Sequence, residues 1–129
     1  MKHRILIVDD EDFVRESLVD LLESEGLETA SASSAAEALD VLAKGKLSAI
    51  VTDLRMPSAD GLSLLAECKK QAAEVPVILL TGVGTVPEAV QAMKAGAYDF
   101  IQKPVDPEQF VLLVRRALEH RDLVSEVKY

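Results

Sequence analysis

Two kinds of hydrophobic pattern alternate along this chain. Ile5-Leu6-Ile7-Val8, Ala49-Ile50-Val51-Thr52 and Val77-Ile78-Leu79-Leu80 are short, nearly continuous apolar runs rich in β-branched residues. That is how strands buried on both faces of a parallel sheet read. Glu28-Thr29-Ala30-Ser31 is polar and suits an edge strand, and Asp99-Phe100-Ile101 is a short fifth candidate. Between the runs, apolar residues recur at helical spacing. Phe13, Val14, Leu18, Leu21 and Leu22 form one stripe, which Gly26 ends. Ser34 with Glu37 makes a capping box ahead of Ala38, Leu39 and Leu42, and Thr85 with Glu88 makes another ahead of Val90 and Met93. Asp60 or a neighbour starts the helix of Leu62, Leu64, Leu65 and Cys68, and Gly96 stops the next one. Asp106-Pro107-Glu108-Gln109 supplies an N-cap, a first-turn proline and a glutamine at the box position.

The order is therefore strand then helix, five times over. Right-handed crossovers turn that order into an α/β fold, a doubly wound five-stranded parallel sheet with five helices on its two faces. The length of 129 residues suits one domain, and 49% hydrophobic with 28% charged residues is a globular balance. No apolar run reaches a membrane span, and the basic start at Met1-Lys2-His3-Arg4 leads into too short a run for a signal peptide. A cytoplasmic protein is expected. Cys68 is the only cysteine, so neither an intrachain disulfide nor a thiolate zinc cluster is available, and its place on an apolar stripe reads as a small buried hydrophobe. His3, ahead of the first strand, is expected to be exposed. The net charge of −8 argues against direct contact with nucleic acid or anionic lipid and leaves open cations and basic partners.

Ligands of open parallel sheets bind beyond the carboxyl ends of the strands. The first strand is followed there by Asp9 and Asp10, the third ends in Asp53, the fourth in Thr81-Gly82, and the fifth leads to Lys103-Pro104. Three carboxylates, a hydroxyl and an ammonium would converge on one edge. Like charges that close raise one another's pKa values, and a hard divalent cation resolves the conflict. An oxygen-only donor set with room for water favours Mg²⁺ over zinc. Taken one at a time, Asp9 or Asp10 is better read as a turn former; five matching positions together are not.

Ile7-Val8-Asp9-Asp10-Glu11, Asp53-Leu54-Arg55-Met56-Pro57, Thr81-Gly82 and Asp99-Phe100-Ile101-Gln102-Lys103-Pro104 resemble the receiver (CheY-like) domain of two-component response regulators, over residues 4 to about 120. The resemblance implies a flavodoxin-like strand order 2-1-3-4-5. It implies that Asp53 accepts a phosphoryl group from a sensor histidine kinase, with Mg²⁺ on Asp10, Asp53 and the Arg55 carbonyl, and on Asp9 through water. Thr81 and Lys103 would bind the phosphoryl group, with the N–H groups of Arg55 and Gly82 completing the cradle. The bond before Pro104 would be cis. Such a protein is a phosphoacceptor switch with self-catalysed phosphotransfer and autodephosphorylation rather than an enzyme acting on other molecules. Thr81 and Phe100 would carry the switch to a face spanning the fourth helix, fifth strand and fifth helix, roughly Val86 to Leu118. Tyr98 is the competing aromatic, expected exposed or half-buried.

The segment from Thr81 to Lys103 is most similar to the NtrC and DctD group, whose receivers precede an ATPase and a DNA-binding module. A receiver over 1–120 with a helical extension or linker start over 121–129 is expected, and regulation of transcription through an attached module. Phe110, Leu113, Ala117, His120, Val124 and Val127 are spaced as a coiled-coil seam for a homodimer through the last helices. The alternative is an amphipathic helix packed on the sheet. Arg115, Arg116 and Arg121 read as a solvated basic stripe. Gly82-Val83-Gly84-Thr85-Val86-Pro87 starts like a dinucleotide fingerprint, but Pro87 stands where the third glycine belongs. A phosphatase of the haloacid dehalogenase type would want a second Asp where Arg55 stands.

Overall fold

The computed structural model describes residues 3–56, 61–82 and 86–126, with side chains to residue 123. The elements run β1 (Arg4–Val8), α1 (Asp12–Ser24), β2 (Glu28–Ala32), α2 (Ala35–Ala43), β3 (Ala49–Asp53), α3 (Gly61–Gln71), β4 (Val77–Thr81), α4 (Val86–Lys94), β5 (Asp99–Gln102) and α5 (Pro107–Glu126). All strand pairs are parallel, and the sheet order is β2-β1-β3-β4-β5. The central strands β1, β3 and β4 are the apolar runs, and every residue of β3 and β4 is buried.

Successive side chains point to opposite faces of a strand, and two cores result. Leu6, Val8, Ile50, Val77 and Leu79 face α2 and α3, packing on Leu42, Leu64 and Leu65. Ile5, Ile7, Val51, Ile78 and Leu80 face α1 and α5, packing on Leu18, Leu22, Phe110 and Val114. Cys68 lies in the first core, and burial pushes its thiol up to about 11, so it is chemically quiet.

Local signals place the helix ends. The Ser34 hydroxyl accepts the Glu37 N–H at 3.2 Å; the Glu37 carboxylate reaches back to Ser33, one residue before the cap, and that contact holds its pKa below the usual range. Gly26 and Gly96 take φ of 81° and 106° just past α1 and α4, where a left-handed residue lets the following N–H close on the last turn. Asp106 accepts the Glu108 N–H at 3.0 Å at the start of α5. The expected caps at Asp60 and Thr85 lie outside the described residues.

Three expectations need correction. Phe13 is 82% exposed rather than part of the core stripe, because the first turn of α1 stands at the carboxyl edge of the sheet, beyond the layer that Leu18 and Leu22 reach. The proposed seam on α5 fails in its first half: Phe110, Leu113 and Ala117 are buried against the sheet, while His120 is exposed and packs at 5.6 Å on the ring of half-buried Tyr98. Val124 and Val127 lie outside the described side chains. His3 is partly buried, with Nε2 3.4 Å from Asp122. No helix among the described residues is long and apolar enough to cross a membrane.

Candidate functional site

Parallel strands deliver their C-terminal residues to one edge, and here β1, β3, β4 and β5 bring Asp9, Asp53, Thr81 and Lys103 together. Asp9 is fully buried, Asp53 and Thr81 are 8% and 4% exposed, and Asp10 is exposed. One carboxylate oxygen from each of Asp9, Asp10 and Asp53 lies within 4.8 Å of the other two. The Lys103 ammonium stands between β1 and β3, 3.1 Å from Asp9 Oδ2 and 3.1 Å from Asp53 Oδ2, with Glu11 at 3.4 Å. The Asp53 contact is a hydrogen bond; the Asp9 one is close in charge but poorly aligned, and Asp9 Oδ2 keeps no hydrogen-bond donor.

Backbone donors hold the other carboxylate oxygens. Asp9 Oδ1 accepts the Glu11 N–H at 2.9 Å, and Asp53 Oδ1 accepts the Arg55 N–H at 3.2 Å. The bond from Lys103 to Pro104 is cis, as expected, and the Lys103 N–H donates to the Thr81 carbonyl at 2.7 Å. The Thr81 hydroxyl makes a long contact of 3.5 Å to the Ile101 carbonyl, so in this structure it leans towards β5. Gly82 follows it at the mouth, half-buried. Phe100 pairs in register with Leu79 and is 43% exposed, so its ring lies outside the core.

Charge is out of balance here. Burial raises the Asp9 pKa, against the lowering pull of the Glu11 N–H and of Lys103. Burial would lower the Lys103 pKa, but the Asp9 and Asp53 carboxylates outweigh it and hold the ammonium charged well above its ordinary range. One ammonium faces four acids, counting Glu11. An unfilled buried oxygen and an all-oxygen donor set fit a hard divalent cation that keeps part of its water shell.

Three contributors were not legible as such in the sequence. Gly61 opens α3 against the end of β3: a Cβ there would lie 2.7 Å from the Asp53 carbonyl oxygen and 2.8 Å from Leu54 Cα. A glycine at a predicted helix start, where an N-cap was expected, is the only signal of it. Glu88 forms a two-point ion pair with the Arg55 guanidinium, Nε to Oε2 at 3.0 Å, tying α4 to the loop after β3. The Arg15 guanidinium reaches from the first turn of α1 to the Asp9 carbonyl, and its sign is a basic residue early in a helix.

Comparison with known proteins covers nearly the whole fold. The family profile described as the response regulator receiver domain matches residues 5–115. The chain is 43% identical over 123 residues to the C4-dicarboxylate transport transcriptional regulatory protein DctD of Pseudomonas aeruginosa, covering 95% of this chain and 27% of that protein. It is 48% identical over 112 residues to the transcriptional regulatory protein FixJ of Azorhizobium caulinodans, covering 87% of this chain and 53% of that protein. The crystal structure of NtrX from Brucella abortus superposes with a TM-score of 0.93 at 40% identity, over 98% of this chain and 29% of that one. A response regulator receiver domain protein from Clostridium thermocellum gives 0.91 at 33% identity, over 95% of this chain and 98% of that one. The chain thus spans between about a quarter and a half of the length of these two curated relatives.

Proposed function

Because this chain belongs to the response regulator receiver domain family of two-component signalling, we propose that Asp53 is its phosphoacceptor and that phosphorylation of Asp53 switches the α4–β5–α5 face. The observation that carries the reading is the Lys103 ammonium held 3.1 Å from both Asp9 and Asp53. Asp53 attacks the phosphorus of a phosphohistidine on a sensor histidine kinase. The new O–P bond forms as the N–P bond breaks, and the imidazole leaves with a proton. Such transfer needs positioning and neutralised equatorial oxygens more than covalent help. Lys103 supplies a fixed positive charge, the Thr81 hydroxyl turns from Ile101 to the phosphoryl group, and the N–H groups of Arg55 and Gly82 complete the cradle.

Asp10, Asp53 and the Arg55 carbonyl would hold Mg²⁺ directly and Asp9 through water. Mg²⁺ would supply charge screening for the attacking carboxylate and the transferred oxygens. The acyl phosphate formed is labile, so the same pocket lets water erase it, and the domain acts on itself and not on a turnover substrate. Rotation of Phe100 from its exposed position follows Thr81, carrying the change to α4 and α5.

The outputs of the relatives support a role in regulating transcription through a module beyond a receiver of about residues 1–120, with 121–129 as helical extension or linker. A homodimer through the last helices would use the outer face of α5, where Leu112 and Leu123 are 52% and 61% exposed. The net charge of −8 argues against direct nucleic acid or membrane contact by this domain, and a cytoplasmic location suits a partner of a kinase domain.

Incubation with acetyl phosphate and MgCl₂, followed by intact mass spectrometry, tests the reading. Wild type gains a single phosphoryl group, and Asp53→Asn gains none. Labelling of Asp53→Asn at the wild-type rate overturns the assignment.

A further inference from the structure

Arg15 occupies a position that a helix disfavours for a cation. It is the fourth residue of α1, within reach of the positive end of the helix dipole. Its side chain is nevertheless only 15% exposed, folded back under the acidic turn. Nη1 donates to the Asp9 carbonyl at 2.8 Å, and Nη2 donates to Asp12 Oδ1 at 2.6 Å. A residue that violates a local rule and whose Nη1 is held by a backbone carbonyl outside its helix has a tertiary reason to be there.

The Asp9 carbonyl belongs to the peptide plane that joins Asp9 to Asp10. Holding that oxygen fixes the rotation of the link from which both carboxylates hang. Asp9 has further ties, its N–H to the Ala32 carbonyl at 3.2 Å and its Oδ1 to the Glu11 N–H. Asp10 is exposed, so its direction depends on the plane before it. We infer that Arg15 is a positioning residue for Mg²⁺: its fork on Asp9 and Asp12 turns the Asp9–Asp10 peptide so that the Asp10 carboxylate converges with Asp9 and Asp53. The inference rests on the magnesium reading above.

Charge alone predicts the opposite sign, which makes the role testable. A guanidinium near a cation site repels Mg²⁺, so a neutral residue there would tighten binding. Loss of positioning loosens it, on the order of tenfold for a group that orients a metal ligand. The full chain is melted across a MgCl₂ series at constant ionic strength, and the rise in Tm gives the apparent Kd. Arg15→Met keeps the apolar stem and removes the fork. Its expected Kd is about tenfold weaker than wild type; an equal or tighter Kd overturns the proposal. Should Arg15→Met not fold, Arg15→Lys keeps the charge with a single-point donor, and a Kd equal to wild type overturns the proposal in that background. A wild type without saturable Mg²⁺ stabilisation overturns the magnesium reading and this inference with it, and is told apart because the wild type itself fails.

Discussion

At the scale of a residue, Asp9 carries a stability cost that the proposed Mg²⁺ site would relieve. It is fully buried, its Oδ2 has no hydrogen-bond donor, and burial is the largest influence on its raised pKa. An acid whose folded pKa lies above its unfolded value of 3.8 destabilises the fold when ionised. That cost is fully present above the raised pKa and vanishes below 3.8. Asp9→Asn is therefore expected to raise the Tm of the Mg²⁺-free protein at neutral pH, by on the order of 1 kcal/mol for relief of a buried oxygen without a hydrogen-bond donor. The advantage shrinks as pH falls through the raised pKa, and the stabilisation by Mg²⁺ is weakened. Thermal melts of both proteins between pH 7 and pH 3.5, with and without MgCl₂, check the sign and the window.

At the scale of the element, α4 and α5 are held very differently. α5 buries Phe110, Val114, Ala117 and Leu118, whereas the buried residues of α4 are Ala89 and Ala92. Two alanine methyl groups contribute little, at about 0.8 kcal/mol per buried methylene-sized group. Val86, Val90 and Met93 stay exposed on α4, beside an exposed Phe100 on β5. The Arg55–Glu88 pair is a polar tie from outside the helix, and because it is exposed, salt screens it. Glu88→Gln is expected to speed amide exchange in α4 a few-fold at low salt while leaving β3 and β4 unchanged. The difference should narrow at high salt; an α4 exchange pattern identical to wild type at low salt counts against the tie. A lightly held helix next to the proposed phosphoacceptor Asp53 is what a switch face requires.

Seen as a whole molecule, the carboxyl edge joins the acidic pocket to an apolar groove of about 580 Å³ lined by Phe13, Val14, Leu18, Pro104, Val105 and Pro107, with Lys103 shared between them. If Asp53 is phosphorylated as proposed, a large exposed aromatic beside that edge suits the partner that would deliver the group. Small donors need no such surface. Phe13→Ala is thus expected to slow phosphotransfer from a phosphorylated histidine kinase at least several-fold and to leave labelling by acetyl phosphate unchanged. Equal slowing of both reactions would show that Phe13 acts on the pocket and not on docking.

The order of elements was determined by the sequence alone, because continuous apolar runs and helical stripes differ in period and because Ser34, Gly26, Gly96 and Pro107 mark helix ends by local chemistry. The residues after each strand were legible too, since a parallel sheet sends every strand's C-terminal residue to one edge. Tertiary structure decided what local pattern leaves open. Phe13 shares the α1 stripe yet stands clear of the core, because the helix starts beyond the sheet layer. Phe110, Leu113 and Ala117 fit a seam and a core equally well by spacing, and the sheet claimed them. Glu88 pairs with Arg55, 33 residues away, a partner that no local spacing names. Arg15 showed only as a basic residue early in a helix with Asp12 three positions before it; its other partner, the Asp9 backbone carbonyl, comes within reach only once β1 and α1 have packed. Spacing specifies which residues can share a face or an edge; only the packed chain specifies which charges, carbonyls and apolar groups meet there.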